Sequence, residues 1–303
     1  MNSKGLIRNK FSITGLNLIT SSLARLAYFL NSKKKSEHTL VSSYNSIAQE
    51  YSKEMLWRQG KIEEYLFKDF DASSSNMYIL DVGCGTGSIE RHIMGKGYLS
   101  HTNSKYIGVD LSVEMLKFAM LKSSRRSIFC LSNGLRLPFI DKSFNIVVSN
   151  LCLHHSNSRT SFISELRRVT KTNGKILFTV AADSYLHEVV NSIIRTATKP
   201  KWFFHFLNYQ IPYWPYTKAD LYSDLIRNGI FKFTIDEVKW KYNFGSVDDL
   251  LIAFRSIAGE FYMNHLSKEI RNEFTKDVRK DIQKNNLKLT LTDHILFCSA
   301  IIG

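Results

Sequence analysis

Tyr78-Ile79-Leu80-Asp81-Val82, run directly into Gly83-Cys84-Gly85-Thr86-Gly87, is the stretch on which the fold turns. Five residues dominated by β-formers, bounded by Ser73-Ser74-Ser75-Asn76 on one side and glycine on the other, are predicted to be a buried strand. Glycines at three alternate positions then let the backbone turn sharply and come close to a ligand. A helix that follows offers unpaired N–H groups at its start.

Working outward, Tyr106 to Asp110 is a second predicted strand, and it ends on a carboxylate. An acid roughly 20 residues beyond a glycine turn, at the end of the neighbouring strand, is placed to accept hydrogen bonds from both hydroxyls of a ribose. The two signals together point to an adenosine ligand at the switch point of a parallel sheet. The glycine spacing is G-x-G-x-G, without the G-x-G-x-x-G/A of dinucleotide binders and without the G-K-[ST] of a P-loop.

Downstream, strands and helices alternate. Ser112 to Lys122 is predicted helical, with Ser112 as N-cap and Glu114 in the first turn. Ser127 to Leu131, Asn145 to Ser149 and Lys175 to Val180 are predicted strands, with a helix over Ser161 to Thr170. Such alternation predicts an α/β fold with a parallel sheet covered on both faces. Beyond Ala182 come a helical stretch near Leu186 to Thr196 and the aromatic run Trp202-Phe203-Phe204-His205-Phe206, then Tyr209, Tyr213, Trp214 and Tyr216. Helices near Lys218 to Asn228, Val247 to Ile257 and Ser267 to Gln283 are interleaved with strands over Phe231 to Tyr242 and Asp293 to Ile302. These two late strands are expected to form an antiparallel edge, completing a Rossmann-like sheet of seven strands.

The 303 residues carry 44% hydrophobic and 22% charged side chains, which excludes a disordered, collagenous or polytopic membrane chain. A net charge of +14 favours acidic partners. Cys84, Cys130, Cys152 and Cys298 are scattered without metal-site spacing, so no metal and a reducing, cytoplasmic setting are expected. Residues 1 to 36 hold Lys4, Arg8, Lys10, Arg25, Lys33, Lys34 and Lys35 and no acid. That composition fits a packed extension, a basic helix lying on an anionic membrane, or, in a eukaryote, a mitochondrial leader. The expected layout is an extension over 1–38 and one domain over 39–303, divided into a cofactor half (39–182) and an acceptor or cover half (183–303).

The set Ile79 to Gly87, Ile107 to Ser112, Met115-Leu116, Leu137-Pro138-Phe139, Ser143 to Val147, Ser149-Asn150-Leu151, His154-His155 and Glu165 to Val169 resembles the class I S-adenosylmethionine-dependent methyltransferases. The resemblance covers about half of the chain, from Tyr44 to Val180. It implies S-adenosyl-L-methionine as cofactor and assigns it a site. Asp81, Gly83, Cys84, Gly85 and Gly87 would form the turn at the methionine portion. Asp110 would take the ribose, Leu111 and Met115 the adenine face, and Asn133, Gly134 and Leu135 the adenine edge. Asn133 stands where the family usually has an acid. Asn150 and Leu151 would lie beside the sulfonium. Tyr44, Tyr51 and Arg58 match the family's N-terminal covering helix, with Arg58 expected to pair with the cofactor carboxylate.

His154 and His155 are candidates for a catalytic base, packing being the alternative for either. Trp202, Phe206, Tyr209, Tyr213 and Trp214 are expected to wall an acceptor pocket in the insertion after the fifth strand, or else to cover the sheet edge. Looser matches at Leu250 to Gly259 and Leu289 to Ile295 resemble the malonyl-carrier-protein O-methyltransferases of biotin synthesis, implying a carboxylate on an acyl chain carried by an acidic protein. Methyltransferases of quinones, lipids or secondary metabolites share the cofactor half. An RNA methyltransferase ranks lower, because no RNA-binding module is recognisable, and so does a non-catalytic assembly protein of the same fold.

Overall fold

The computed structural model describes residues 41, 42, 44, 45, 48, 56–70, 76–99, 103–184, 186–206, 216–255, 263 and 265–303. Tyr51, Tyr209, Tyr213 and Trp214 and the basic extension lie outside the described residues. One seven-stranded sheet organises the chain: β1 (Tyr78–Val82), β2 (Lys105–Asp110), β3 (Ser127–Leu131), β4 (Phe144–Ser149), β5 (Thr170–Ala181), β6 (Lys232–Asn243) and β7 (Thr290–Ile301). Their order across the sheet is β3-β2-β1-β4-β5-β7-β6. The first five are parallel, and β7 runs antiparallel between β5 and β6. The antiparallel edge expected from the two late strands is therefore present. β1 lies inside the sheet with four of its five residues buried, which explains why Asp81 is its sole charged residue.

Nine helices fill the connections among the described residues: α1 (Leu56–Leu66), α2 (Ser88–Gly95), α3 (Val113–Lys122), α4 (Arg159–Val169), α5 (His187–Ala197), α6 (Pro200–Phe206), α7 (Lys218–Arg227), α8 (Val247–Phe254) and α9 (Lys268–Lys284). Local chemistry sets where several of them begin. Ser112, Ser158, Thr217, Ser246 and Ser267 each accept a backbone N–H at the start of α3, α4, α7, α8 and α9, Thr217 in a reciprocal capping box with Asp220.

Packing divides the apolar interior. One core joins Leu80, Val82 and Val147 of the sheet to Phe162 and Leu166 of α4 and Leu221 and Leu225 of α7. The opposite face buries Ile79, Tyr106, Ile146 and Phe297 against Ile62 and Leu66 of α1 and Ile89 and Ile93 of α2. A third core lies beyond the end of β5, where α5, α6, α8 and α9 bury Ile193, Trp202, Phe254, Phe274 and Val278 around one another. No helix among the described residues is long and apolar enough to cross a membrane, and the four cysteines are free thiols.

Candidate active site

The glycine turn leaves β1 with positive φ at Gly83, Gly85 and Gly87. It is pinned to the end of β2: Gly83 and Cys84 donate their N–H groups to the Val109 carbonyl at 2.8 and 3.0 Å. A Cβ on Gly83 would lie 2.3 Å from Cys152 Sγ, so no side chain fits there. At Gly85 a Cβ would meet nothing within 4 Å, because this backbone faces an open cleft.

Asp110 closes the other side of the turn. Its Oδ2 accepts the Gly85 N–H and its Oδ1 the Ser112 N–H, both at 2.8 Å. Burial pushes this carboxyl above the usual carboxylate range, while the backbone N–H donors pull the other way. Each oxygen has satisfied one lone pair and keeps acceptor capacity toward the cleft.

The cleft, about 980 Å³ with its open mouth, lies over the carboxyl ends of β1, β2 and β4. Val82, Gly83, Gly85, Asp110, Leu111, Met115, Asn133, Gly134, Leu135, Asn150, Leu151 and His155 line it together with Tyr44. Asn133 Oδ1 accepts the Leu135 N–H at 2.9 Å, which folds this loop back on itself. A Cβ on Gly134 would come within 2.5 Å of the Phe162 ring. At the end of β4, Thr179 donates to Asn150 Oδ1 at 2.5 Å and accepts the Leu151 N–H at 2.8 Å. That clamp holds Leu151 at φ +50°, an uncommon conformation for a leucine. Tyr44 and Val41 cover the cleft, Asn45 meets the Ser112 hydroxyl at 2.6 Å, and Ala48 packs on Met115.

The two histidines, neighbours in the 3₁₀ turn Leu153–His155, lie ring against ring with centroids 4.2 Å apart, yet they meet different parts of the protein. His154 is 6% exposed and turns toward β5, its Nδ1 3.4 Å from the Ala181 N–H. His155 lines the cleft, with its Nε2 2.8 Å from the Tyr44 hydroxyl. Of the pair, only His155 stands where it meets a bound molecule.

Six other expected site residues sit elsewhere. Arg58 is 1% exposed and its Nε lies 2.6 Å from Asp293 Oδ2, an equally buried carboxylate on β7. The guanidinium is thus committed to β7 and does not line the cleft. Asp81 points beneath the turn and accepts the Tyr106 hydroxyl at 2.5 Å; burial raises its carboxyl to about 7. Cys84 is buried, and Gly87 serves as N-cap of α2. Trp202 and Phe206 correct the expectation of an acceptor wall. Trp202 is 2% exposed, donates Nε1–H to Asp277 at 3.1 Å and meets Phe274 edge-on, while Phe206 packs on the same ring. Both build the core under α9. Ser132, Ser156, Asn157 and Phe162 also line the cleft and were not anticipated; the first three stand on loops with no periodic pattern to mark them, and Phe162 reads as a core position of α4.

Residues 80–178 match the sequence profile of the methyltransferase domain family. Residues 80–178 form a methyltransferase domain. The chain is 30% identical over 123 residues to malonyl-[acyl-carrier protein] O-methyltransferase of Hamiltonella defensa, a match spanning 41% of this chain and 45% of that protein. The protein of the same name from Buchnera aphidicola is 28% identical over 212 residues, 69% of this chain and 75% of that one. The chain thus spans under half the length of the first relative. The methyltransferase fold is matched by phosphoethanolamine N-methyltransferase 2 of Haemonchus contortus, solved in complex with S-adenosyl-L-methionine. That likeness has a TM-score of 0.50 at 16% identity and covers 80% of this chain and 52% of the other.

Proposed function

We propose that this protein transfers a methyl group from S-adenosylmethionine to the carboxylate of an acyl chain presented by an acidic carrier. The observation that carries the cofactor half is Asp110, held by two backbone N–H groups at the lip of the cleft beside the open Gly85 backbone. Those residues fit an adenosine with a free ribose, and nothing in the turn provides for a ribose phosphate. When bound, the cofactor supplies a methyl group activated by a sulfonium sulfur. Asp110 holds the ribose hydroxyls, Leu111 and Met115 supply apolar surface for the base, and Asn133 to Leu135 border its edge. Asn150, turned by Thr179, presents its amide to the far end of the cleft. Tyr44 and Val41 exclude water from above.

The acceptor half of the reading is supported by the names of the two carrier-protein relatives and by the +14 charge, which draws acidic partners before they dock. A carboxylate is already ionised, so its oxygen takes the methyl group without a base and the reaction depends on positioning. The Tyr44–His155 pair favours a second reading. A phenol or quinol acceptor must lose a proton as it attacks, and His155 Nε2 is the group placed to take it. Calorimetry with S-adenosylmethionine, NAD and ATP tests the first half: tight binding of NAD or ATP without the methyl donor sinks it. Turnover with a malonyl group on acyl carrier protein, set against a phenolic acceptor, tests the second.

A further inference from the structure

β3 is an edge strand unlike the rest of the surface. It pairs with β2 alone among the described residues. The Ser132 N–H bonds the Asp110 carbonyl at 3.0 Å, so by the two-residue alternation of a strand Ile128 and Cys130 bond toward β2. The N–H and C=O groups of Phe129 and Leu131 then face away from the sheet. Natural edges are blunted by an inward charge, a bulge or a proline, and β3, reading Ser-Ile-Phe-Cys-Leu, has no proline and no charge.

Exposed apolar side chains gather at the same place. Of twelve large hydrophobic residues exposed among the described ones, five belong to β3 and the helix packed on it: Val113, Met120 and Leu121 on α3, and Ile128 and Leu131 on β3. Leu121 is 79% exposed. A patch of this kind marks an interaction site. Charge selects the occupant. Between Met115 and Ile140 stand Lys117, Lys122, Arg125, Arg126 and Arg136 without one acid. The flanking acids Glu114 and Asp141 are engaged by Lys117 and Arg168. A second copy of this chain would set that basic patch against itself, and residues 1–36 are equally free of acids.

We infer that β3 is a docking edge for an acidic protein, which adds an extended segment, apolar and acidic residues alternating, as an eighth strand. Backbone pairing to Phe129 and Leu131 supplies affinity, and Arg125 and Arg126 supply the preference for acid. This inference is independent of the acceptor proposed above, since it concerns the sheet edge and not the cleft.

Amide exchange on the full chain tests it, with a synthetic nonapeptide alternating valine and glutamate as probe and its valine–lysine counterpart as control. The expected result is rapid exchange at Phe129 and Leu131 in the free protein, slowed at least tenfold by the glutamate peptide and unchanged by the lysine peptide. Raised salt and the Arg125→Glu/Arg126→Glu variant should each remove most of that slowing. Ile128→Lys/Leu131→Lys, at two exposed positions, should abolish it with the circular dichroism spectrum unaltered. Equal effects of the two peptides, or none from either, overturn the inference. So does slow exchange in the free protein, which at all concentrations would mean that its own chain covers β3 and only at high concentration that a second copy does.

Discussion

Asp110 spends one lone pair of each oxygen on the backbone and offers the rest to the cleft. Asp110→Ala should therefore weaken S-adenosylmethionine binding by about 1.5 to 3 kcal/mol, the range for hydrogen bonds to a charged group; an unchanged dissociation constant removes the ribose contact. His155→Ala separates the two acceptor chemistries. With a phenolic acceptor, turnover should fall roughly 100-fold while cofactor affinity holds, and with a carboxylate acceptor the rate should change little. The equivalent change at His154 should show as lost stability, since that ring is packed against β5. At this scale the sequence was informative wherever backbone geometry dictates the residue, as at Gly83, Gly85 and Asp110. It was silent where a side chain had two directions to choose between. Adjacent histidines in a 3₁₀ turn cannot be told apart without the sheet beneath them, and Arg58 finds its carboxylate 235 residues away on β7.

Strands and helices were more legible than side chains. β1 and β3 have the bounds expected of them, and α3 starts on Ser112 as its capping chemistry requires. The aromatic run after β5 is where element reading stopped. Density of aromatic side chains says that a surface is buried, and gives no indication against what; Asp277, the partner of Trp202, lies on α9. The glycine turn gives a test of its own. Gly83→Ala adds a methyl group 2.3 Å from Cys152 Sγ on a backbone at φ +77°. Left-handed strain of roughly 1 to 2 kcal/mol plus the overlap should lower stability by at least about 2 kcal/mol. Adding Cys152→Gly, which takes away the opposing atoms, should recover the overlap component and leave the strain. Denaturant unfolding of the two variants reads both parts, and a single variant as stable as the parent would mean that the turn is looser than described.

The molecule as a whole should respond to pH through its buried acids. Asp81 is raised to about 7 by burial, against the opposing hydrogen bond from Tyr106. Between its usual 3.8 and about 7 the folded protein holds a proton that the unfolded chain has released. Stability should therefore fall as pH rises through that window and level off above it. Asp110 and Glu63, also raised by burial, add in the same direction. Asp81→Asn, whose side-chain oxygen still accepts from Tyr106, should flatten the profile when unfolding is followed from pH 5 to 8. A wild-type protein that gains stability across that range contradicts the assignment. The order of strands has a further consequence, for biosynthesis. β7 occupies an interior place in the sheet, yet residues 290–301 are the last strand to be made. While the ribosome is still adding them, β5 and β6 have no common neighbour and Arg58 lacks its bond to Asp293. The amino-terminal strands can assemble as they emerge, but the nascent sheet keeps a temporary open margin at β5 until residues 290–301 arrive, the interval in which a chaperone has most to shield.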